Sequence, residues 1–188
     1  HAEKPYLVAV ASSAEPEDMA PLFRRLAEDR TLLRRYDILM MAPEPAHAHL
    51  RAALGGYGLA GALGDGIVLA APRTDLALAA LLLSARAVIA PTPTGLDPML
   101  LLDALSASRH VACSLAGAAR EIGGGAIGCF DPNLSDDFAR ALDQTLARAE
   151  RHPDNPLAAD RVRRFTWAEA AETIAADYAS WMREPAHV

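Results

Sequence analysis

The sequence predicts a single α/β domain built on a doubly wound parallel sheet of about six strands. Six short apolar runs alternate with longer amphipathic segments, which is the rhythm of repeated strand–helix–strand units. The runs are apolar throughout rather than alternately apolar and polar. Strands of this kind are buried on both faces, as in parallel sheets that helices cover on both sides. A length of 188 residues suits one domain of this class.

Three strands and three helices are predicted in the first half of the chain. The strands are the apolar runs Tyr6–Ala11, Asp37–Met41 and Gly66–Ala70. Between them, Pro16–Arg34 carries leucines near helical spacing and is predicted to form one helix. A second helix, Ala46–Leu54, is expected to end at Gly55–Gly56, because glycine commonly terminates helices. Thr74 is the expected N-cap of a third helix that runs to about Ser84.

The second half of the chain continues the same alternation. Its predicted strands are Ala87–Pro91, His110–Cys113 and Ala126–Phe130, and its predicted helices are Pro98–Ser106, Ala116–Ile122, Leu134–Arg151 and Trp167–Arg183. Asp97 is a plausible cap for the first of these helices, and the glycines 123–125 are expected to stop the second. The segment His152–Pro156 breaks the helical pattern. The domain is therefore expected to span 1–188, with 157–188 as a C-terminal helical segment.

Charge, cysteine usage and hydropathy exclude several classes of protein. The net charge is −6, and nucleic-acid-binding domains carry basic patches, so nucleic acid is not an expected partner. Cys113 and Cys129 lie in apolar runs and are expected to be buried thiols rather than a disulfide framework, which makes a cytoplasmic location the default. No signal peptide or transmembrane segment is expected, since the longest apolar stretch, Leu76–Leu83, is too short to span a bilayer.

Motifs for metal and dinucleotide chemistry are not found in the sequence. His47 and His49 are two residues apart at a predicted helix start, so their side chains point to different faces and do not share a metal ion. No set of Cys, His and Asp residues has the spacing of a metal site. The sequence also contains neither a G-x-G-x-x-G fingerprint nor a P-loop. Neither a metal centre nor a dinucleotide-dependent enzyme is therefore predicted.

A family resemblance comes from six short segments that follow one another in a fixed order. They are Ala90–Thr92 (APT), Gly95–Leu105 (GLDPMLLLDAL), Val111–Ser114 (VACS), Ala116–Glu121 (AGAARE), Cys129–Pro132 (CFDP) and Phe165–Glu172 (FTWAEAAE). In order and spacing they resemble the C-terminal half of retaining GT-B glycosyltransferases. In that family a strand ending in Pro-Ser precedes an E-x7-E motif, and the last helix begins with Phe, Ser or Thr, and Trp. The resemblance covers nearly the whole chain.

The resemblance implies a Rossmann-like domain that binds a nucleotide-sugar donor for transfer of the sugar to an unknown acceptor. The acceptor-binding half of such enzymes is N-terminal and is expected to lie outside this chain, which alone would be inactive. Neither a metal nor another cofactor is implied, because Arg or Lys stabilises the diphosphate in such relatives. The expected location is the cytoplasm, with the membrane surface as an alternative for the full-length protein.

The resemblance implies two carboxylates, one at each Glu position of the E-x7-E motif, and the chain has a carboxylate at the second position. Asp103 falls on the second Glu of the E-x7-E motif, which implies binding of the ribose hydroxyls; the alternative is an exposed helix residue. Gly95 falls on the first Glu, so that this carboxylate is missing. Asp97 is a candidate substitute near the donor, and its alternative role is to cap the helix.

The loop after the first strand is where the resemblance implies a basic pair that contacts the diphosphate. Here Ser12 and Ser13 offer hydroxyl or backbone N–H donors, but no cation is present. The acids Glu15, Glu17 and Asp18 follow instead, and negative charges beside a diphosphate are unfavourable. Their alternative role is in the first turn of a helix, where acids suit the dipole.

Three more donor-binding candidates lie after later strands. Arg73 follows the third strand, where the resemblance implies contacts near the base, or else it is a surface residue paired with Asp75. Ser114 and Gly117 lie in the loop that touches the donor in relatives, and the alternative for Gly117 is a tight turn. No catalytic residue is assigned. Two hypotheses follow: a donor-binding glycosyltransferase domain, or a degenerate, non-catalytic GT-B-like module for binding or assembly.

Overall fold

The computed structural model describes residues 4–11, 16–134 and 136–182, and these form six strands and nine α-helices. The strands are β1 (Tyr6–Val10), β2 (Asp37–Met41), β3 (Ile67–Ala70), β4 (Ala87–Ala90), β5 (His110–Ser114) and β6 (Ile127–Phe130). The helices are α1 (Ala20–Glu28), α2 (Thr31–Arg35), α3 (His47–Gly56), α4 (Asp75–Ser84), α5 (Pro98–Ser106), α6 (Ala119–Gly123), α7 (Asp137–Arg151), α8 (Ala158–Val162) and α9 (Trp167–Trp181). Short 3-10 turns lie at Pro16–Met19, Glu44–Ala46, Ala60–Ala62 and Gly124–Ala126.

The sheet is parallel throughout and has the strand order β3-β2-β1-β4-β5-β6. The central strand β1 pairs with both β2 and β4, so that Leu7 lies opposite Ile38 on one side and Ala87 on the other. The chain therefore builds outward from β1 in one direction and then returns to build outward in the other. The predicted doubly wound α/β class is confirmed, and the point of reversal lies between β1 and β4.

Apolar side chains cover both faces of the sheet, which explains why the strands do not alternate between apolar and polar residues. In β1, Leu7 belongs to one buried cluster, with residues of α1, α3 and α7, whereas Val8 belongs to the other. The second cluster draws on α4, α5, α6 and α8 through residues such as Leu82, Leu101 and Ile122. Helices on both sides remove most of the sheet from water, as a parallel sheet requires, although Val68 on the edge strand β3 is 48% exposed.

The single helix predicted over Pro16–Arg34 is wrong, because the chain breaks at Asp29 into α1 and α2. The Asp29 backbone is extended, with φ of −135° and ψ of 100°. Its carboxylate accepts hydrogen bonds from the Thr31 N–H at 2.9 Å and the Thr31 hydroxyl at 2.6 Å. Such local side-chain bonds compete with helix continuation. The Thr31 hydroxyl and the Arg25 guanidinium also lower the pKa of Asp29.

Other element boundaries differ from the predicted ones by a few residues. Helix α3 runs through Gly55–Gly56 rather than ending before them, since Leu50 and Leu54 are buried in the core and hold the last turns. Helix α7 begins at Asp137 rather than Leu134, because the Asp137 carboxylate accepts the Asp131 N–H at 2.7 Å. Helix α6 begins at residue 119 rather than 116, and the short helix α8 was not predicted as a separate element.

The two predicted N-caps are confirmed. The Thr74 hydroxyl accepts the Ala77 N–H at 3.2 Å at the start of α4. The Asp97 carboxylate plays the same part at the start of α5. Both interactions join residues that are close in sequence, so the residue types alone are sufficient to indicate them.

The two cysteines are free and lie side by side, Cys113 on β5 and Cys129 on β6. Cys113 is buried as expected, whereas Cys129 is only half-buried. The Cys113 thiol donates to Cys129 and lowers the pKa of the Cys129 thiol to about 7. The cysteine that is the more exposed of the two is therefore also the more acidic.

Candidate functional site

A pocket of about 540 Å³ opens at the carboxyl edge of the sheet, where ligands bind in doubly wound folds. Its floor is made by the ends of β1 and β2, and its sides by the segment after β3 and by the first two turns of α5. The lining residues of the strand ends are apolar: Val10, Ala11, Met41, Ala42, Ala71 and Pro72. A volume of this size and an apolar floor suit a planar organic group.

The polar part of this pocket consists of Asp103 of α5 and of Asp97, which precedes that helix. The exposed Asp103 carboxylate lies on the rim, and none of the described basic side chains forms an ion pair with it. Partial burial raises the pKa of Asp103, and the negative charges of Asp75 and Asp97 add to that shift. An ionised carboxylate accepts hydrogen bonds and donates none, so this rim suits hydroxyl or N–H donors of a ligand.

Asp97 reaches the same pocket but is already engaged with its own helix. One carboxylate oxygen, Oδ1, accepts the Met99 N–H at 2.9 Å and the Leu100 N–H at 3.1 Å. Both bonds go to that single oxygen, and the residue therefore caps α5 while lining the pocket. Its part in donor binding stays a prediction.

Backbone conformation and close packing, rather than a contact with a ligand, require glycine at position 95. Its backbone lies in the left-handed region, with φ of 88°. A Cβ atom at this position would lie 2.7 Å from the carbonyl oxygen of Ala116. Any side chain, including the Glu of the family motif, would therefore clash with the backbone of the loop after β5. The missing carboxylate at Gly95 has a structural cause in this chain.

Ser114 ties two loops of the carboxyl edge together. Its buried hydroxyl donates to the Pro93 carbonyl at 3.1 Å and accepts the Ala116 N–H at 3.1 Å. Gly117 has φ of 64°, and a Cβ atom there would lie 3.8 Å from the Thr94 carbonyl oxygen. The loops after β4 and β5 thus form one interlocked unit, and the Ser114 hydroxyl is occupied within it.

Thr92 belongs to the same unit and was not singled out from the sequence. Its side chain is completely buried, and its hydroxyl lies 2.8 Å from that of Thr94. Buried hydroxyls need a partner, and the exposed Thr94 supplies one to Thr92 through its hydroxyl and, at 3.3 Å, its backbone N–H. The Thr–Pro–Thr sequence at 92–94 was the signal available for this turn.

Arg73 pairs with Glu44 and not with Asp75, so the expected pairing is corrected. The guanidinium lies 2.6 Å from the Glu44 carboxylate, which lowers the pKa of Glu44 and raises that of Arg73. The loop after β2 lies beside the loop after β3 because their strands are neighbours. The Arg73 side chain remains 76% exposed, so the pair is screened by solvent and contributes little to stability.

The expected diphosphate loop is only partly visible. Ser12, Ser13 and Glu15 lie outside the residues that the structure describes. Glu17 and Asp18 lie in the 3-10 turn that leads into α1, a position where acids suit the helix dipole. No basic side chain is among the described residues that line the pocket.

The described residues provide neither a cluster of metal ligands nor a membrane-spanning helix. Within residues 4–11, 16–134 and 136–182, no three His, Cys, Asp or Glu side chains are grouped so that they could hold a metal ion. The expectation that the chain binds its donor without a metal ion stays a prediction. None of the helices in the described part of the chain is both long and apolar enough to cross a bilayer.

Comparison with known proteins shows the fold. No family model and no curated protein sequence matches the chain. Among solved structures it is similar to a glycosyltransferase from Rickettsia africae (TM-score 0.74, 13% identity, 97% of this chain and 49% of that one). It is also similar to sucrose-phosphate synthase from Thermosynechococcus elongatus (TM-score 0.72, 16% identity, 97% and 46%). A third similar structure is α,α-trehalose 6-phosphate synthase from Burkholderia multivorans (TM-score 0.69, 19% identity, 95% and 44%).

These likenesses extend along almost the whole of this chain but only about half of each solved enzyme. The predicted fold, that of one half of a GT-B glycosyltransferase, is thus confirmed. At identities below 20% the likeness concerns the fold, and activity has to be argued from the site itself.

Proposed function

We propose that this chain is the donor-binding half of a glycosyltransferase and holds the nucleoside part of a nucleotide sugar in the pocket at the ends of β1, β2 and β3. The observation that carries the proposal is an unpaired carboxylate, Asp103, on the rim of a pocket of about 540 Å³ with an apolar floor. The position at the carboxyl edge of a doubly wound sheet supports it. So does the similarity to solved glycosyltransferases.

The proposed binding mode divides the ligand between two kinds of surface. The base lies against the apolar floor near Ala11 and Ala42, where its faces are shielded from water. The ribose hydroxyls donate to the Asp103 carboxylate on the rim. Arg73 lies after β3 at the edge of this region and is exposed enough to approach the ligand.

The described lining of the pocket offers few groups that could bind the diphosphate of the donor. A leaving diphosphate needs positive charge or N–H donors, and the described lining of this pocket contains no basic residue. We therefore propose that the stabilising cations come from outside the pocket, including from the other half of the enzyme.

Helix α9 supports the idea that another half exists. None of its residues is buried, although it carries large apolar side chains. Trp167 is 84% exposed and Trp181 is 66% exposed, with Ile174 and Tyr178 also exposed. Apolar surface of this extent marks an interaction site. We propose that α9 packs against the acceptor-binding half.

A second candidate function is a GT-B-like module that no longer takes part in transfer. The steric block at Gly95 favours it, because the carboxylate that relatives place near the donor sugar has no room here. On this hypothesis the domain serves binding or assembly, and its pocket does not distinguish nucleotides.

Calorimetric titration of the chain with UDP, ADP and GDP, and with their 2′-deoxy forms, tests the donor-binding proposal. We expect the ribose forms to bind better than the deoxy forms. Asp103→Ala should weaken the ribose forms about tenfold or more and abolish the difference, since bonds to a charged acceptor are lost.

Asp65→Ala is the matched control, because Asp65 is exposed in the turn before β3, at the opposite edge of the sheet. It should bind like the unaltered chain. A folded sample that binds none of the nucleotides at millimolar concentration would overturn the donor-binding proposal in favour of the second candidate. In the full-length enzyme, loss of transfer in a folded Asp103→Ala variant would exclude that candidate.

A further inference from the structure

The outward face of α4 is apolar, although it faces solvent. Leu76 is 82% exposed and Leu83 is 60% exposed, and the exposed Ala79 and Ala80 lie between them. The spacing 76, 79, 80 and 83 places all four on one side of the helix. The four residues form what we call the α4 stripe.

The opposite face of α4 already supplies the core of the domain. Leu82 is buried and Leu78 packs against the same cluster. The helix is thus apolar on both sides, and Asp75 is the one charged residue among its ten. Helices that are apolar all round are normally covered on all sides. The donor pocket does not require an apolar stripe on the outer face.

The α4 stripe reads the same in both directions, with Leu and Ala followed by Ala and Leu. Two copies of this helix that lie antiparallel place Leu76 beside the partner's Leu83 at both ends. Their centre then brings Ala79 and Ala80 of both copies together, where small side chains allow a close approach. A two-fold axis requires such self-complementarity, because if one residue meets a second in the partner, the second must also meet the first.

The acidic charge at the start of α4 favours an antiparallel pair of helices. The absence of basic residues from this helix favours a protein partner over a lipid surface. A parallel pair would bring the two Asp75 carboxylates together at one end, whereas the antiparallel pair keeps them at opposite ends. A lipid surface fits poorly, because membrane-bound helices carry Lys or Arg beside the apolar face. The α4 stripe has neither, and the chain has a net charge of −6.

A groove beside the α4 stripe adds contact surface. A cavity of about 570 Å³ lies between α4 and α5, where Ala79, Leu83 and Met99 are apolar lining residues and Asp75 and Asp103 are acidic ones. Met99 is itself 54% exposed. Helix α4 is only about 15 Å long, so a stable interface of roughly 600 Å² or more per copy needs this second element.

We propose that α4 pairs antiparallel with α4 of a second copy of this chain, about a two-fold axis between Ala79 and Ala80. The dimer does not depend on the donor-binding proposal. Because the shared surface is small, the association is weak, with a Kd on the order of micromolar.

Sedimentation equilibrium of the chain from about 0.5 µM to 100 µM tests the dimer. The unaltered chain should be dimeric at the upper end. The double variant Leu76→Glu and Leu83→Glu should weaken dimerisation at least tenfold. Leu134→Glu is the matched control, because Leu134 is 58% exposed and lies outside the stripe, and it should dimerise as before. A chain that stays monomeric, or a dimer unaffected by the double variant, would overturn the proposal.

If the double variant does not fold, cysteine cross-linking provides a second test of the α4 pairing. Ala80→Cys, placed in a Cys129→Ser background, should form a covalent dimer under mild oxidation, since position 80 lies next to the axis. Leu134→Cys in the same background should not. Equal cross-linking of the two variants, or none in Ala80→Cys, would also overturn the α4 pairing.

Discussion

At the scale of single residues, sterics at Gly95 shape the carboxyl edge as much as polar chemistry does. The positive φ of Gly95 and its closeness to the Ala116 carbonyl leave no space for a side chain. Two loops can approach each other only because this residue has no Cβ atom. The Ser114 hydroxyl then bridges the same two loops.

Gly95→Ala should therefore destabilise the domain by roughly 1–3 kcal/mol, through backbone strain and the clash with Ala116. Urea unfolding followed by circular dichroism measures the change. Gly61→Ala is the matched control, because a Cβ atom there meets nothing within 4 Å and the backbone is not left-handed. A loss at Gly95 no larger than that at Gly61 would show that the loops move apart without cost.

At the scale of elements, the segment His152–Pro156 holds the C-terminal part of the chain to the sheet. Asn155 is buried, and its amide donates to the Ala126 carbonyl at 2.7 Å and to the Arg109 carbonyl at 3.3 Å. Its side-chain oxygen accepts the Leu157 N–H at 3.2 Å. From the sequence this segment was interpreted only as a helix breaker, yet it anchors α8 against β5 and β6.

Asn155→Ala should lower the free energy of unfolding by about 2–3 kcal/mol, since it leaves buried carbonyl groups without donors. Chemical unfolding at neutral pH is the measurement. The control is Asn133→Ala, an exposed asparagine that bonds only to its neighbour Asp131, and it should change stability by about 0.5 kcal/mol or less. Similar losses in both variants would mean that the buried bonds of Asn155 add nothing.

At the scale of the whole molecule, α9 borders a cavity beside α5 but buries none of its own residues. Every other helix of at least nine residues buries side chains among the described part of the chain, whereas α9 buries none. Its apolar residues therefore contribute little to the stability of this chain by itself. We proposed above that they serve the contact with the acceptor-binding half.

Removal of α9 by ending the chain after Phe165 should change the free energy of unfolding by about 1 kcal/mol or less, because none of the α9 side chains is buried. Thermal unfolding measures this. As the contrasting truncation, a chain that ends after Arg151 also loses Asn155 and the buried Ala158, and it should be strongly destabilised. Equal destabilisation in both truncated chains would contradict the separate status of α9.

Local sequence was sufficient to determine the six strands, most helices and the helix caps at Thr74 and Asp97. Apolar runs mark strands buried on both faces, and a cap joins residues only two or three positions apart. The doubly wound α/β class followed from the alternation of these elements, whereas the likeness to one half of a GT-B enzyme came from the family resemblance of the six motif segments. The break at Asp29 was missed, although its cause is also local, because an acid inside an amphipathic pattern does not by itself end a helix.

Only the tertiary structure decided the contacts between loops of the carboxyl edge. Ser114 meets Pro93 across 21 positions of the chain and Arg73 meets Glu44 across 29, because the parallel sheet brings the ends of neighbouring strands together. The sequence placed Asp103 on a helix, but the pocket beside it exists only when β1, β2 and β3 end next to α5. A binding site assembled from several strand ends depends on strand order, which local patterns do not encode.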